Sequence, residues 1–389
     1  MAAPSPVRER ADACPGALQT HAAADGALAR VRVPGGALFR SQLQVLAAAA
    51  RDLGDGALEL TSRGNVQLRG LPAGTQAELG HRLAAAGLLP SATHERVRNV
   101  LASALTGRVG GRLDVRPWVS AFDAGLCADP ALAQLPGRFL ATFDDGRSDV
   151  AGFGGDVGLV ALDAGPVALT LAGTDSGLRA APEDAVPLAL AAARAFLAER
   201  AAQGGSAWRL AELDDGVARV AARLRGVRGH DGPPVRGLGG HDVPLAAGAH
   251  RQDDGRTALV AVVPLGRLTA DQADLLARTA PTDLQLTAWR SVVVPDLPDD
   301  GAARALTGAG LVLDPGSPWT RVTACAGRPG CAKSLADVRA DAARAVDEGT
   351  LPGPGERQHW AGCERRCGRP RGEVVDVVAT GTGYRVGKA

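Results

Sequence analysis

Two stretches of fourteen residues, 226 positions apart, carry one pattern: LELTSRGNVQLRGL at 58–71 and LQLTAWRSVVVPDL at 284–297. Leu58, Leu60, Thr61, Val66 and Leu71 stand opposite Leu284, Leu286, Thr287, Val292 and Leu297 at that constant spacing. Each stretch reads as a strand, a break and a resumed strand, since apolar residues recur on both sides of a polar centre. The flanks repeat too. ALARVRVPGG alternates like a half-buried strand and LFRSQLQVLAAAARDLG has helical spacing; TALVAVVPLGRL and TADQADLLARTA hold the same places before the second stretch. Helical QAELGHRLAAAGLLP and DGAARALTGAGLVL follow the two stretches. Beyond them, one alignment sets Arg98 opposite Arg321 and Ala102 opposite Cys325. A single short match arises by chance, but an ordered series of strand, helix, strand, helix and arginine loop does not. The chain is therefore expected to be an α+β protein with a duplicated β-α-β unit and pseudo-twofold symmetry. Segments 28–34 and 58–69 would correspond to 258–264 and 284–295.

Between the copies lie strand-like GRFLATFDDG, DVGLVAL and VALTLAG, then helical segments at about 182–203 and 208–226. The Gly- and Pro-rich 226–244 reads as a linker, and a cleft between halves is where a ligand would be expected. At 389 residues, two or three domains are expected. A net charge of +1 with 3% aromatic residues argues against nucleic acid as a partner. The N-terminus lacks the apolar core of a secretory signal, and VPLALAAARAFLAERAA is interrupted by Arg194 and Glu199, so it reads as a packed helix rather than a membrane span. A cytoplasmic protein is expected.

Four of the six cysteines fall in one C-terminal window, Cys325 and Cys331 in CAGRPGC, then Cys363 and Cys367 in CERRC. Clustered thiols in a reducing compartment serve as metal ligands or redox groups more often than as disulfides. The five-residue gap suits the tight knuckle of a zinc site poorly. Four thiolates at varied spacing suit an iron–sulfur cluster. Gly327, Pro329, Gly330, Gly362, Gly368 and Pro370 allow close backbone approach, and Arg328, Arg365, Arg366 and Arg369 are placed to offset cluster charge. Structural disulfides, free thiols and zinc stay open as alternatives. Cys14 and Cys127 have no partner at ligand spacing.

TSRGNVQLRGL, VRNV at 97–100, the cysteine window and the duplicated halves together resemble the sulfite and nitrite reductase family, over about 14–386. The resemblance implies duplicated ferredoxin-like half-domains plus a reductase-type α/β cluster domain. The implied divisions are 14–105 and 236–318 for the half-domains, 106–235 for a first α/β domain and 319–389 for the cluster domain. It further implies that Cys325, Cys331, Cys363 and Cys367 hold a [4Fe–4S] cluster, which in that family is bridged to sirohaem. The assimilatory reductases are longer and carry basic residues for their oxyanion in an LPRKFK-like strand. Here LPGRFL keeps Arg138 but has Leu140 at the second basic position. CPGALQTHAAADGALARVRVPGG and LQLTAWRSVVVPDL resemble a shorter branch that works on precorrin-3A in aerobic cobalamin biosynthesis. That branch implies hydroxylation and lactone formation with dioxygen, an external electron donor, the [4Fe–4S] cluster and a mononuclear non-haem iron. A sirohaem-dependent sulfite or nitrite reductase is the alternative, and a non-catalytic metal-binding scaffold a remoter one.

Precorrin-3A carries eight carboxylates, and guanidinium groups bind carboxylates bidentately. Arg30 and Arg32 alternate on a strand and are expected on one face. With Arg63, Arg69 and Arg98 of the signature loops, and Arg138, they form the candidate substrate-binding set. Trp289 and Ser291 replace Arg63 and Asn65 in the second copy, where Arg290 is the available cation. Seven histidines (His21, His81, His94, His230, His241, His250 and His359) show no spacing of a two-histidine, one-carboxylate iron site. The mononuclear iron therefore receives no assigned ligand, and His359 is read as a donor supporting the cluster.

Overall fold

The structure is a computed structural model that describes residues 14–388 except Ala164 and residues 226–228, 234, 236, 237 and 239–243. His241 and most of the expected linker lie outside the described residues. The chain divides into two compact units.

Unit one comprises residues up to Gly16, Arg32–Gly36 and Leu89–Pro244. Its six-stranded sheet runs His230–Asp231, Thr174–Ala180, Val167–Leu171, Val157–Ala161, Ala141–Asp144, Val100–Ala102. The last three pair in parallel and the others antiparallel. The strands Val157–Ala161 and Val167–Leu171 are buried along their whole length, so they read as continuous apolar runs rather than alternating ones. Helices Arg116–Ala128 and Ala185–Ala202 cover the sheet, and Phe122, Phe139, Phe143 and Phe196 fill the core. The second helix is alanine-rich, which lets it lie close on the sheet, and no described helix is long and apolar enough to cross a membrane.

The sequence placed the end of the first half-domain at 105, whereas residues from Leu89 fold with unit one. The reason is the strand Val100–Ala102, whose hydrogen-bonding edge is satisfied in parallel by Ala141–Phe143.

Unit two holds two ferredoxin-like half-domains. The first sheet runs His21–Ala23, Gly26–Val31, Val66–Leu71, Ala57–Leu60, and the second Gly248–Arg251, Thr257–Val262, Ser291–Leu297, Asp283–Leu286. Each sheet is completed by a three-residue strand from the other half. Arg267–Thr269 pairs with Ala57–Glu59, and Ala37–Phe39 with Asp283–Gln285. Arg40 N–H donates to Thr282 O (3.0 Å) and Ala270 N–H to Gly56 O (2.9 Å), closing the exchange on both sides. Helices Arg40–Leu53 and Ala270–Thr279 pack on one another.

The copies agree at the level of single bonds. Thr61 N–H donates to Asn65 O and Thr287 N–H to Ser291 O, both at 2.9 Å. Gly64 and Arg290 occupy the same left-handed position (φ 63° and 61°). Strands Gly26–Val31 and Thr257–Val262 each carry a register shift, between Ala27 and Ala29 and between Thr257 and Leu259.

Unit two also contains a four-stranded sheet. Val322–Ala324, Gln358–Ala361 and Val375–Thr380 are parallel, and Gly383–Lys388 is antiparallel. Val338, Ala342 and Ala345 of helix Val338–Asp347 pack on Val322, Trp360 and Val377. Three parallel strands thus open this sheet as they do in unit one. Ala102 ends its strand as Ala324 does, so Ser103, one residue past the aligned Ala102, holds the place of Cys325.

Candidate functional site

Cys325 follows the strand Val322–Ala324 directly, and Cys363 comes two residues after the neighbouring parallel strand Gln358–Ala361. Both cysteine loops therefore leave the carboxyl edge of one parallel sheet, the edge where α/β sheets bind ligands. The register brings them together: Ala324 lies opposite Trp360, and Cys325 N–H donates to Trp360 O (2.9 Å).

The loops are laced to each other. Gly362 N–H points at the Cys325 sulfur (3.2 Å), and Leu335 N–H donates to Gly362 O (2.9 Å). A Cβ on Gly362 would lie 1.9 Å from Ser334 Oγ, so only glycine lets the two segments close this tightly. Inside the first loop Arg328 Nε donates to Ser334 O (2.8 Å).

Cys325, Cys331 and Cys363 are partly buried and Cys367 is exposed, all four as free thiols. Burial pushes the Cys367 thiol up. Arg365 opposes this, and Cys325, Cys363 and Cys331 add to it, so the four sulfurs act in one field. Among the described residues no three of these sulfurs lie within 4.8 Å of one another. The Gly362 N–H aimed at the Cys325 sulfur fits a thiolate-held iron–sulfur cluster.

His359 is fully buried, and burial first, then the Arg290 charge, pushes its pKa down to about 3, so it is neutral. Its Nδ1 meets Thr323 Oγ1 (3.0 Å), and that hydroxyl also donates to Gln358 O (2.9 Å). Its Nε2 is buried without a hydrogen-bond partner of normal geometry, although the Cys367 backbone acts on the ring. Arg366 and Arg369, read as counter-charges for a cluster, both pair with buried Asp376 (3.4 and 2.8 Å).

The candidate substrate arginines divide between the two units. Arg30, Arg63 and Arg69 belong to unit two with the cysteines; Arg32, Arg98 and Arg138 belong to unit one. Arg30 reaches across the ladder to Gln67 Oε1 (3.1 Å from Nε). Arg32 lies past the end of that strand, is buried, and donates to the Arg96 carbonyl (3.1 Å), so the two do not share a strand face as expected. Arg98 is buried in a bidentate pair with Asp123, 2.7 Å at both contacts. Arg138 is exposed and lies over the Trp208 ring, 5.2 Å from its centre. Leu140 is buried in unit one.

Arg69 is also buried and engaged. It forms a fork to Asp25 (3.0 Å at both contacts) and donates to Gly330 O in the first cysteine loop (2.5 Å). Glu59, also buried, sits 3.8 Å from Arg69 and 2.6 Å from Arg339, in the helix that follows that loop. Arg63 remains half-buried at the turn of the first signature loop, with its N–H on Thr61 Oγ1 (3.3 Å). Sequence reasoning missed Asp25, Glu59 and Arg339, which have no motif, and Thr323, which looks like any strand threonine.

A model of the nitrite/sulfite reductase ferredoxin-like half domain matches residues 21–86 and again 249–307, the two halves described above. The ferredoxin–nitrite reductase of Synechococcus elongatus is 29% identical, covering 92% of this chain and 77% of the relative. The precorrin-3B synthase of a Sinorhizobium species is 25% identical over 96% of this chain and 82% of the relative. Among solved structures, the NirA protein of Mycobacterium tuberculosis superposes with a TM-score of 0.75 at 22% identity, covering 93% of this chain and 73% of NirA, a likeness of fold. This chain thus carries the nitrite/sulfite reductase ferredoxin-like half domain twice and shares the fold of NirA.

Proposed function

We propose that this chain is an oxidoreductase of the precorrin-3B synthase type, hydroxylating precorrin-3A with dioxygen and electrons from an external donor and closing a lactone with a ring acetate. The observation that carries this reading is the segment just before strand Ala141–Asp144, which matches the place where the assimilatory reductases carry two oxyanion-binding cations. Here Leu140 is buried in the core and Arg138 lies on Trp208. A small dianion deprived of one cation in a closed site loses several kcal/mol, of order 3–5. A tetrapyrrole with eight carboxylates spreads its charge and tolerates the loss. The match to the Sinorhizobium precorrin-3B synthase over 96% of this chain supports the same reading.

Cys325, Cys331, Cys363 and Cys367 would hold a [4Fe–4S] cluster, which supplies single electrons, while the mononuclear non-haem iron of this branch supplies oxygen activation. The chain's own contribution to the cluster is the Gly362 N–H on the Cys325 sulfur and the Arg365 charge, which favours thiolate at Cys367. Neutral His359 adds no positive charge beneath the loops. For the substrate, half-buried Arg63 is the proposed carboxylate ligand in unit two, with Arg30 beside Gln67 as a second.

Protein purified without oxygen tests the reading. Iron in excess of acid-labile sulfide by the one mononuclear atom, no Soret band, and oxygen-dependent conversion of precorrin-3A are expected. The 29% identity to the Synechococcus nitrite reductase favours a second reading, a sirohaem-dependent sulfite or nitrite reductase. A Soret band with nitrite or sulfite turnover would establish that reading instead.

A further inference from the structure

Each half-domain sends one arginine to one cysteine loop. Arg69, from the first copy, donates to Gly330 O immediately before Cys331 (2.5 Å). Arg290, from the second copy, donates through Nη2 to Gly368 O immediately after Cys367 (2.9 Å). Both contacts run over a glycine. A Cβ on Gly330 would come within 2.8 Å of Arg69 Nη2, and one on Gly368 within 3.2 Å of Arg290 Nη2. The two arginines are not equivalents in the repeat: the residue matching Arg290 is Gly64, and the residue matching Arg69 is Pro295. The duplicated scaffold has thus arrived at one guanidinium-to-loop contact per half from different positions.

The cost at Arg290 points the same way. It holds φ 61°, the left-handed region that glycine adopts freely and a long side chain does not, and its twin Gly64 holds φ 63°. A non-glycine residue kept at such a position is retained against backbone strain of order 1 kcal/mol or more. At Arg69 the fork is aligned by half-buried Asp25 and buried Glu59, and Glu59 also binds Arg339 behind the same loop. A guanidinium fixed by carboxylates on one side presents its remaining N–H groups in a set direction.

We propose that Arg69 and Arg290 are positioning residues that hold the Cys325–Cys331 and Cys363–Cys367 loops in the geometry that cluster ligation requires, one loop per half-domain. The inference rests on the cluster reading above. It makes the integrity of each half-domain a condition for holding the cluster.

The test compares Arg290→Gly, Arg69→Met and Asp25→Asn with the unmodified holoprotein. The measurements are iron and sulfide content, the rate of iron release to a ferrous chelator, the electron paramagnetic resonance signature of the reduced cluster, and the melting temperature. Arg290→Gly relieves the left-handed strain, so it should melt no lower than the unmodified protein. It should nevertheless release iron roughly tenfold faster or more, the scale of one lost charge-assisted hydrogen bond, with an altered resonance signature. Asp25→Asn weakens the fork but leaves Arg69 able to reach Gly330, so it should lower the melting temperature without matching the iron release of Arg69→Met. Unmodified release rates and resonance in Arg290→Gly overturn the inference, whether or not Arg69→Met folds. So does Asp25→Asn releasing iron as fast as Arg69→Met. Unmodified protein without iron and sulfide overturns the cluster reading itself, a result separate from any variant.

Discussion

Arg98 shows how little a side chain's chemistry says about its employment. Its place in the VRNV motif suggests a carboxylate ligand for the substrate, but both arms of its guanidinium are taken by Asp123 at 2.7 Å, with 5% of the Arg98 side chain and 20% of the Asp123 side chain exposed. Removing one partner of a buried pair costs about 3–5 kcal/mol. Asp123 can regain some water, so Arg98→Ala is expected to lower stability by about 2–3 kcal/mol, read as a shifted urea midpoint at unchanged slope. Arg63 is half-buried at the turn of the first signature loop. Arg63→Ala is expected to weaken precorrin-3A binding by about 10-fold or more, the scale of one guanidinium–carboxylate contact. Equilibrium titration beside a melt of the same sample separates the two behaviours. Nothing in the sequence around Arg63, Arg69 and Arg98 distinguishes them, because the partners Asp25 and Asp123 lie 44 and 25 residues away.

Among elements, the turn after strand Ala141–Asp144 in unit one gathers Asp144, Asp145 and Asp149. Asp144 accepts N–H bonds from Gly146, Ser148, Val150 and Ala151, and Asp145 pairs with Arg147. Asp149, beside them, is pushed up to about 7, chiefly by burial and then by the Asp144 charge, with the Ser103 hydroxyl and Arg147 opposing. Its folded pKa thus exceeds the ordinary 3.8, and the folded state holds a proton that the unfolded state has released. Stability from this group is complete below about pH 4 and is lost as pH rises through about 7. Urea midpoints measured from pH 4 to pH 8 should show this fall, and Asp149→Asn should flatten it. The duplicated elements were legible because their signals are local. Helix Ala270–Thr279 begins with Thr269 Oγ1 accepting the Gln272 N–H (3.1 Å) and Gln272 Oε1 accepting the Thr269 N–H (2.9 Å), a pattern visible in four letters. Thr269→Ala should cost about 1 kcal/mol of thermal stability.

For the whole molecule, the cysteine loops contribute few apolar contacts of their own, and their order depends on each other, on the half-domains and on what the thiols bind. Cys331→Ser and Cys363→Ser are therefore expected to remove the visible chromophore and to broaden or lower the unfolding transition, because ligation and folding are coupled. Full iron and sulfide content in either variant would remove that cysteine from the ligand set. The sequence by itself determined the duplication, the α+β class, the strand–break–strand signatures and the position of the cysteine window. All of these are periodicities and spacings within a few turns of chain, where hydrogen-bond geometry and apolar alternation leave few options. The tertiary structure alone decided that each half-domain lends a strand to the other, that residues 89–105 fold with unit one, that Arg69 serves the cysteine loop, and that Leu140 is buried. The physical reason is shared. An unpaired strand edge or a buried guanidinium accepts any complementary partner, and the one it meets is set by chain segments as far apart as Arg69 and Gly330, 261 residues, which no local pattern encodes.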